Sequence, residues 1–344
     1  MGSPSKKKRP LKKLKLALIL VAVFVAALLA VRFYNLYRFH LEQQTRFMMD
    51  TYVTIYAVGP KKITAPAVNL ALDRMQEVDA KFNRNNPKSP VYDFNHQGVP
   101  ITDREILDVA RVALEVTRES DGAFDITIAP LIELWGFYGD SPHLPKEEEI
   151  RDCLMKTGSR YLSLKDSKLE KTKESIQIDL GGIAKGHAVR KAGKVLRAAG
   201  VTSALIDAGG DVYALGKRGR DLWKVGIRNP RGDDLLGYLE VEDLAVMGSG
   251  DYERFFVQAG KRYHHIFDPK TGHPAEGLRS TTLIHPDPTL ADAWNTAIFV
   301  LGPEKGLDLV ERIPGMEAIL VTVSGEVMYS SGLRNALVAL SQSE

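Results

Sequence analysis

From Phe47 onward, apolar residues recur in some stretches at every second position and in others at helical spacing, without a regular strand–helix–strand rhythm. That irregular order constrains the fold most. It excludes a doubly wound parallel sheet and predicts an α+β domain with mixed or antiparallel sheets and packed helices. Thr51 to Val58 alternates as a strand, and Val68, Leu72, Met75 and Phe82 lie at helical spacing. Asn83 to Gly98, rich in Asn, Pro and Ser, is expected to be a loop. Thr102 and Glu105 form a capping-box pattern for a helix with Ile106, Val109, Ala110 and Ala113 on one face, ended by Ser120-Asp121-Gly122. Ile176-Gln177-Ile178 reads as a short strand. It leads into a helix striped by Val189, Ala192, Val195, Leu196 and Ala199, with Gly200 as its cap. Strands follow at Ala204–Ala208, Trp223–Ile227, Leu239–Val241, Arg262–Phe267 and Thr281–Ile284. A helix from about Ala291 and strands near Ile319 and Val327 complete the chain.

The N-terminus obeys a different rule. Residues 1–15 carry Lys6, Lys7, Lys8, Arg9, Lys12, Lys13 and Lys15 and no acid, so they hold +7 of a net charge of +3. The body is therefore −4 (3 − 7), mildly acidic and without the basic patch that nucleic acid demands. Leu16 to Val31 follows as sixteen residues without a charge. The pattern predicts a basic cytoplasmic tip at 1–15 and a single membrane-spanning signal-anchor helix over 16–37, with Phe33, Tyr34, Leu36 and Tyr37 at the interface. A linker over 38–46 and one folded domain over 47–344 are expected beyond it, on the extracytoplasmic (periplasmic) side of the cytoplasmic membrane. Leu28-Leu29-Ala30 is a poor cleavage site, which favours an uncleaved anchor. The lone Cys153 excludes an internal disulfide framework and a Cys-rich zinc site, and no cysteine follows the apolar run to take a lipid.

Four polar segments are candidates for chemistry. Asp179-Leu-Gly-Gly-Ile-Ala-Lys-Gly186 joins a strand pattern to a helix pattern. Its glycines allow close backbone approach and the helix start favours an anion, although such turns are often purely structural. Asp121-Gly-Ala-Phe-Asp125 and the aromatic stretch to Phe137 read either as a core loop or as an apolar wall carrying one carboxylate. Ser249-Gly-Asp-Tyr252 and His264-His265-Ile-Phe-Asp268-Pro-Lys-Thr-Gly272 place two histidines beside a polar turn. Strand alternation points only one of them into a given cleft. If Asp292 opens a helix, Asp292 and Thr296 share one face as two hard oxygen donors of the kind Mg²⁺ accepts, although an Asp cap with a Thr one turn on is the more common arrangement on a helix.

Together and in this order, Met49-Asp50-Thr51, Gly-Ala-Phe-Asp-x-Thr, Asp-Leu-Gly-Gly-Ile-Ala-Lys-Gly, Ser-Gly-Asp-Tyr, His-His-Ile-x-Asp-Pro-x-Thr-Gly and Ala-Asp-Ala-x-x-Thr-Ala resemble the ApbE family, the FAD:protein FMN transferases. The resemblance covers about residues 47–340. It implies Mg²⁺-dependent transfer of FMN from FAD to a Thr or Ser hydroxyl of a target flavoprotein, with release of AMP. The isoalloxazine is expected near Met49, Phe82, Ala123, Phe124 and Asp125, and the pyrophosphate against Gly181, Lys185 and His187. Ser249, Asp251 and Ile266 are further nucleotide contacts by the same resemblance. The Ala184 carbonyl, Asp292 and Thr296 would hold Mg²⁺, and His265, aided by Asp268, would be the base. The acceptor would be a flavin-carrying subunit of a membrane electron-transport complex. Two other readings share these residues: an FAD pyrophosphatase yielding FMN and AMP, and a flavin-binding protein without turnover. The chain departs from the family pattern at Asp50, where Gly is common, at His187 (Tyr), at Gly248 (Thr) and at Arg190 (Asp).

Overall fold

The structure, a computed structural model, describes residues 9–38, 40–137, 139, 141–165, 167–333 and 338–339. In chain order it runs through helix α1 (Arg9–Arg38), strands β1 (His40–Met48) and β2 (Thr51–Gly59), and helices α2 (Lys61–Phe82), α3 (Pro90–Gln97), α4 (Arg104–Glu119), α5 (Ala129–Leu134) and α6 (Glu147–Leu154). Strands β3 (Leu162–Lys165) and β4 (Lys168–Lys171), helix α7 (Gly181–Ala198), and strands β5 (Ala204–Ala208), β6 (Asp211–Leu215), β7 (Trp223–Arg228), β8 (Leu235–Val241) and β9 (Ala245–Gly250) follow. The chain continues through β10 (Phe255–Gln258), β11 (Lys261–His264), β12 (Leu278–His285), helices α8 (Pro288–Leu301) and α9 (Pro303–Val310), β13 (Glu317–Thr322), β14 (Val327–Tyr329) and β15 (Val338–Ala339).

Eight strands form one antiparallel sheet in the order β1-β2-β5-β6-β9-β12-β13-β14. Alternation along each strand gives the sheet two apolar faces. Val53, Ile55 and Ile206 point to the helical side, where Leu72 and Met75 of α2, Val189 of α7 and Phe299 of α8 complete the main core. Burying one such side chain fully contributes about 1.5–3 kcal/mol. Truncating Leu72, which has no exposed surface, would cost about 2–5 kcal/mol. Val212, Val246, Ile284 and Ile319 point the other way, against Trp223, Val225 and Leu239 of the β7–β8 layer. A third cluster gathers Trp135, Phe137, Ile150 and Phe267 beneath the β10–β11 hairpin.

This is the expected α+β architecture, with several local differences. Residues 40–46, expected as linker, belong to β1, which pairs with β2 in register from His40↔Gly59 to Met48↔Thr51. As an edge strand it needs few apolar residues, so Glu42, Gln43, Gln44 and Arg46 concealed it. The expected loop at 83–98 contains α3: Ser89 caps it by accepting the Tyr92 N–H at 3.0 Å, Pro90 starts it, and Gly98 closes it at φ 70°. Asp103 rather than Thr102 caps α4, accepting the Glu105 and Ile106 N–H groups, which leaves the Glu105 carboxylate free for other partners. Ile176-Gln177-Ile178 joins no ladder; the Asn95 side chain instead bonds both the N–H and the carbonyl of Ile178, as a neighbouring strand would. β11 ends at His264 rather than Phe267, and α8 begins at Pro288 with Asp287 as its cap rather than near Ala291.

Helix α1 is 30 residues long, and its described apolar side chains, Leu14 to Leu29, are exposed on every side. Among the described residues no helix is long and apolar enough to cross a membrane. The expected interfacial side chains at 33–37 and the lysines at 6–8 lie outside the described residues.

Candidate active site

A cavity of about 680 Å³ opens where the β1–β2 turn, the end of α2, the start of α7 and the middle of α8 converge. Its floor is a close helix crossing. A Cβ on Gly186 would lie 2.1 Å from the Pro288 carbonyl oxygen and 2.6 Å from the Asp292 Cβ, so only glycine lets α7 and α8 approach this far. At that crossing the Gly186 N–H donates to one Asp292 carboxylate oxygen at 2.8 Å. Asp292 and Thr296 lie on one face of α8, and both line the cavity with Gly181, Gly182, Ala184 and Lys185 of α7. A Cβ on Gly182 would meet the Phe124 ring at 3.0 Å and the Thr296 hydroxyl at 3.3 Å, which places the second glycine of the motif under that ring.

The floor carries an excess of negative charge. Lys185 pairs with Asp211, whose other oxygen accepts the Gly248 N–H at 2.9 Å. Burial alone would lower the Lys185 ammonium, but the Asp211, Glu253 and Asp292 carboxylates raise it. Burial, then the nearby Asp211 charge, pushes Asp292 up to about 7. Desolvation raises Glu253 as well. Three carboxylates facing one ammonium make a place that favours a further cation.

Of the two adjacent histidines, only His265 lines the cavity. Its backbone N–H and its Nδ1 both face the Arg254 carbonyl, at 3.2 and 3.3 Å. A carbonyl only accepts, so Nδ1 carries the proton and donates, and Nε2 is the basic nitrogen. Burial, reinforced by the Arg254 guanidinium, pushes His265 down to about 3 and keeps the ring neutral. His264 is buried against Phe299; its Nε2 donates to the Ala275 carbonyl at 3.0 Å and its Nδ1 accepts from Ile266 N–H.

The walls include Met49, Phe82, Ala123, Phe124, Asp125, Ser249 and Ile266, all anticipated as site residues. Asp125 is largely committed to the fold, accepting from the Thr127 N–H and hydroxyl at 2.8 and 2.7 Å and from the Ser159 N–H at 2.9 Å. Three anticipated residues lie outside the lining. Asp268 accepts the Lys270 N–H and tightens its own turn. Asp251 holds Arg231 through both oxygens, at 2.7 and 2.5 Å. His187 stands behind Phe82 and bonds Glu105.

Sequence reasoning missed Asp211, Arg254, Glu253 and Asp79. Asp211 directly follows Gly209-Gly210, and its position after a strand-ending glycine pair was the available signal. Asp79 accepts the Met49 N–H at 3.0 Å and holds the β1–β2 turn, where Met49 and Asp50 both have positive φ. Nothing in the local pattern of α2 marks it for that role.

Comparison with known proteins places the chain in a family. The model of the ApbE family matches residues 49–320. A protein of Klebsiella pneumoniae named FAD:protein FMN transferase is 35% identical over 260 residues, covering 73% of this chain and 80% of that protein. One of Treponema pallidum with the same name is 32% identical over 303 residues, covering 82% and 84%. Among solved structures, the ApbE protein of Thermotoga maritima superposes with a TM-score of 0.81 at 35% identity, covering 86% of this chain and 99% of that one. The flavinyl transferase ApbE of Pseudomonas stutzeri gives 0.77 at 30% identity, covering 89% and 99%. Matched by the family model over residues 49–320 and in architecture over 86% of its length, the chain belongs to the ApbE family.

Proposed function

We propose that this chain cleaves the pyrophosphate of FAD and transfers FMN to a Thr or Ser hydroxyl of an acceptor flavoprotein, releasing AMP. The observation that carries the reading is the pairing, in one cavity, of a neutral histidine of fixed tautomer with a cation-favouring set of hard oxygens. The names of the relatives at 35% and 32% identity support FAD as donor and a protein as acceptor.

His265 Nε2 takes the proton of the incoming hydroxyl as its oxygen attacks the FMN-side phosphorus. The bond from that phosphorus to the bridging oxygen breaks, and AMP leaves with the electron pair. The Arg254 carbonyl, accepting from Nδ1–H, steadies the imidazolium that forms. Lys185, held charged by Asp211, sits at the start of α7, where an anion is favoured. The Asp292 carboxylate, the Thr296 hydroxyl and the Ala184 carbonyl fit Mg²⁺, a small cation that takes few protein oxygens and keeps phosphate and water ligands. When bound there, Mg²⁺ supplies charge neutralisation to the pyrophosphate oxygens.

The basic residues of the N-terminal tip followed by the uncharged run Leu16 to Val31 motivate a single-pass anchor in the cytoplasmic membrane, with the folded domain on the extracytoplasmic side. The acceptor in this reading is a flavin-carrying subunit of a membrane electron-transport complex, and tethering both partners in one plane raises their effective concentration.

The test is to incubate full-length protein in detergent with FAD and a Thr-bearing acceptor, with and without Mg²⁺. The measurements are AMP release and flavin fluorescence that survives denaturation on the acceptor. Covalent flavin that needs Mg²⁺ and vanishes in Asp292→Ala is expected. AMP and free FMN without labelling of any acceptor would make the chain a pyrophosphatase. Bound, unaltered FAD in every condition would leave only a flavin-binding protein.

A further inference from the structure

Behind the cavity wall lies an ionic knot that the reaction above does not use. Phe82, the last residue of α2, lines the cavity and is 4% exposed. Its ring lies on that of His187, with centroids 5.4 Å apart and planes 20° from parallel. His187, from the second turn of α7, is itself buried, with Nε2 3.0 Å from the Glu105 carboxylate. Glu105 sits in the first turn of α4 and also accepts from Arg74, from Lys81 at 3.1 Å and from Lys191 at 3.3 Å. One carboxylate thus ties α2, α4 and α7 together.

A carboxylate among so many donors stays ionised, so Nε2 carries the proton and donates. The other ring nitrogen, Nδ1, is then a buried acceptor with no partner. Burying such an atom is unfavourable, and an apolar ring would fill the same space without that cost. What the imidazole adds is the Nε2–H bond, which fixes the rotation of its ring and so the plane on which Phe82 rests.

We propose that His187, oriented by Glu105, is a positioning residue for flavin-nucleotide binding: its ring holds Phe82 flat in the cavity wall against which FAD lies. This rests on the reading that FAD occupies the cavity. It assigns His187 no contact with the reacting atoms, so the effect belongs in FAD affinity and not in turnover.

Three variants separate the ring from the hydrogen bond. His187→Phe keeps the stack and loses the bond to Glu105, His187→Gln keeps a donor to Glu105 and loses the ring, and His187→Leu keeps only apolar volume. FAD affinity is read on full-length protein without Mg²⁺ from quenching of flavin fluorescence, and kcat from AMP release at saturating FAD with Mg²⁺. Melting temperatures are taken in parallel. The expected result is a Kd weakened about two- to threefold in His187→Phe, which keeps the stack but not the bond that orients it, and at least about fivefold in His187→Gln and His187→Leu, with kcat within about twofold throughout. Either ring-less variant binding like the parent would overturn the proposal. So would a loss in His187→Phe equal to that in His187→Leu, or a fall in kcat at unchanged Kd. If one ring-less variant melts far below the parent, the other supplies the comparison. A parent protein that binds no FAD would instead refute occupancy of the cavity by FAD, a separate outcome.

Discussion

Asn95 on α3 offers a demanding test of how the site is held. Its amide donates to the Ile178 carbonyl at 2.9 Å and accepts the Ile178 N–H at 2.8 Å, spanning 83 residues of sequence. Ile178 has no exposed surface, and the chain passes directly from it to Asp179, Leu180 and Gly181 at the cavity floor. Asn95→Ala removes both bonds and orphans a buried N–H and a buried carbonyl. Each orphaned group costs about 1–3 kcal/mol, and some relaxation brings the expected total to about 2–4 kcal/mol. For a domain of this size, at about 2 °C per kcal/mol, the melting temperature should fall by about 4–8 °C. The assay is a thermal melt followed by circular dichroism, paired with FAD titration. Affinity should weaken several-fold because the floor segment loses its anchor. Asn95→Asp should do no better, since its second oxygen would face the Ile178 carbonyl. A fall below about 2 °C, with FAD affinity unchanged, would refute the view that this side chain substitutes for a strand.

Four further predictions concern the floor and its surroundings. Gly186→Ala forces a methyl into the Pro288 carbonyl and should cost about 3 kcal/mol or more, read as a melting-temperature loss together with weaker FAD binding. Metal-free, the Asp292 carboxyl titrates near 7, above the usual value of about 3.9, so the folded state binds an extra proton between them; stability should fall as pH rises through that window, and Asp292→Asn should remove the slope. Below about pH 7 the apparent Mg²⁺ affinity, measured by calorimetry, should drop about tenfold per pH unit, because that proton must leave. At Glu105, burial alone would raise the carboxyl, but hydrogen bonds from Arg74, His187 and Lys81 outweigh it and hold the group well below the usual range. Its contribution is therefore complete above about pH 4.3 and is lost as pH falls further. Glu105→Gln should flatten the acid limb of a stability–pH curve, and an unchanged limb would show that the knot contributes nothing.

The residues that make the floor were legible in the sequence because each works close to its own backbone. Gly182 and Gly186 are needed where a helix start meets another element, and Asp292 and Thr296 share a face by helical period alone. The alternating strands and striped helices were legible for the same reason: local period reports which face is buried. Other features hid their roles. β1 is polar because it is an edge, and Asp103 outcompetes Thr102 as cap by a geometry that two adjacent residues of similar chemistry do not reveal.

Only the tertiary structure decided which polar groups meet. It turned His265 rather than His264 into the cavity and fixed its tautomer on the Arg254 carbonyl. It also placed Asp211 on Lys185 and set His187 behind Phe82 instead of in the cavity lining. These pairings join residues 11 or more positions apart, and their strength depends on burial and on the few ångströms between partners. Composition and period, which are properties of neighbours along the chain, carry no record of either.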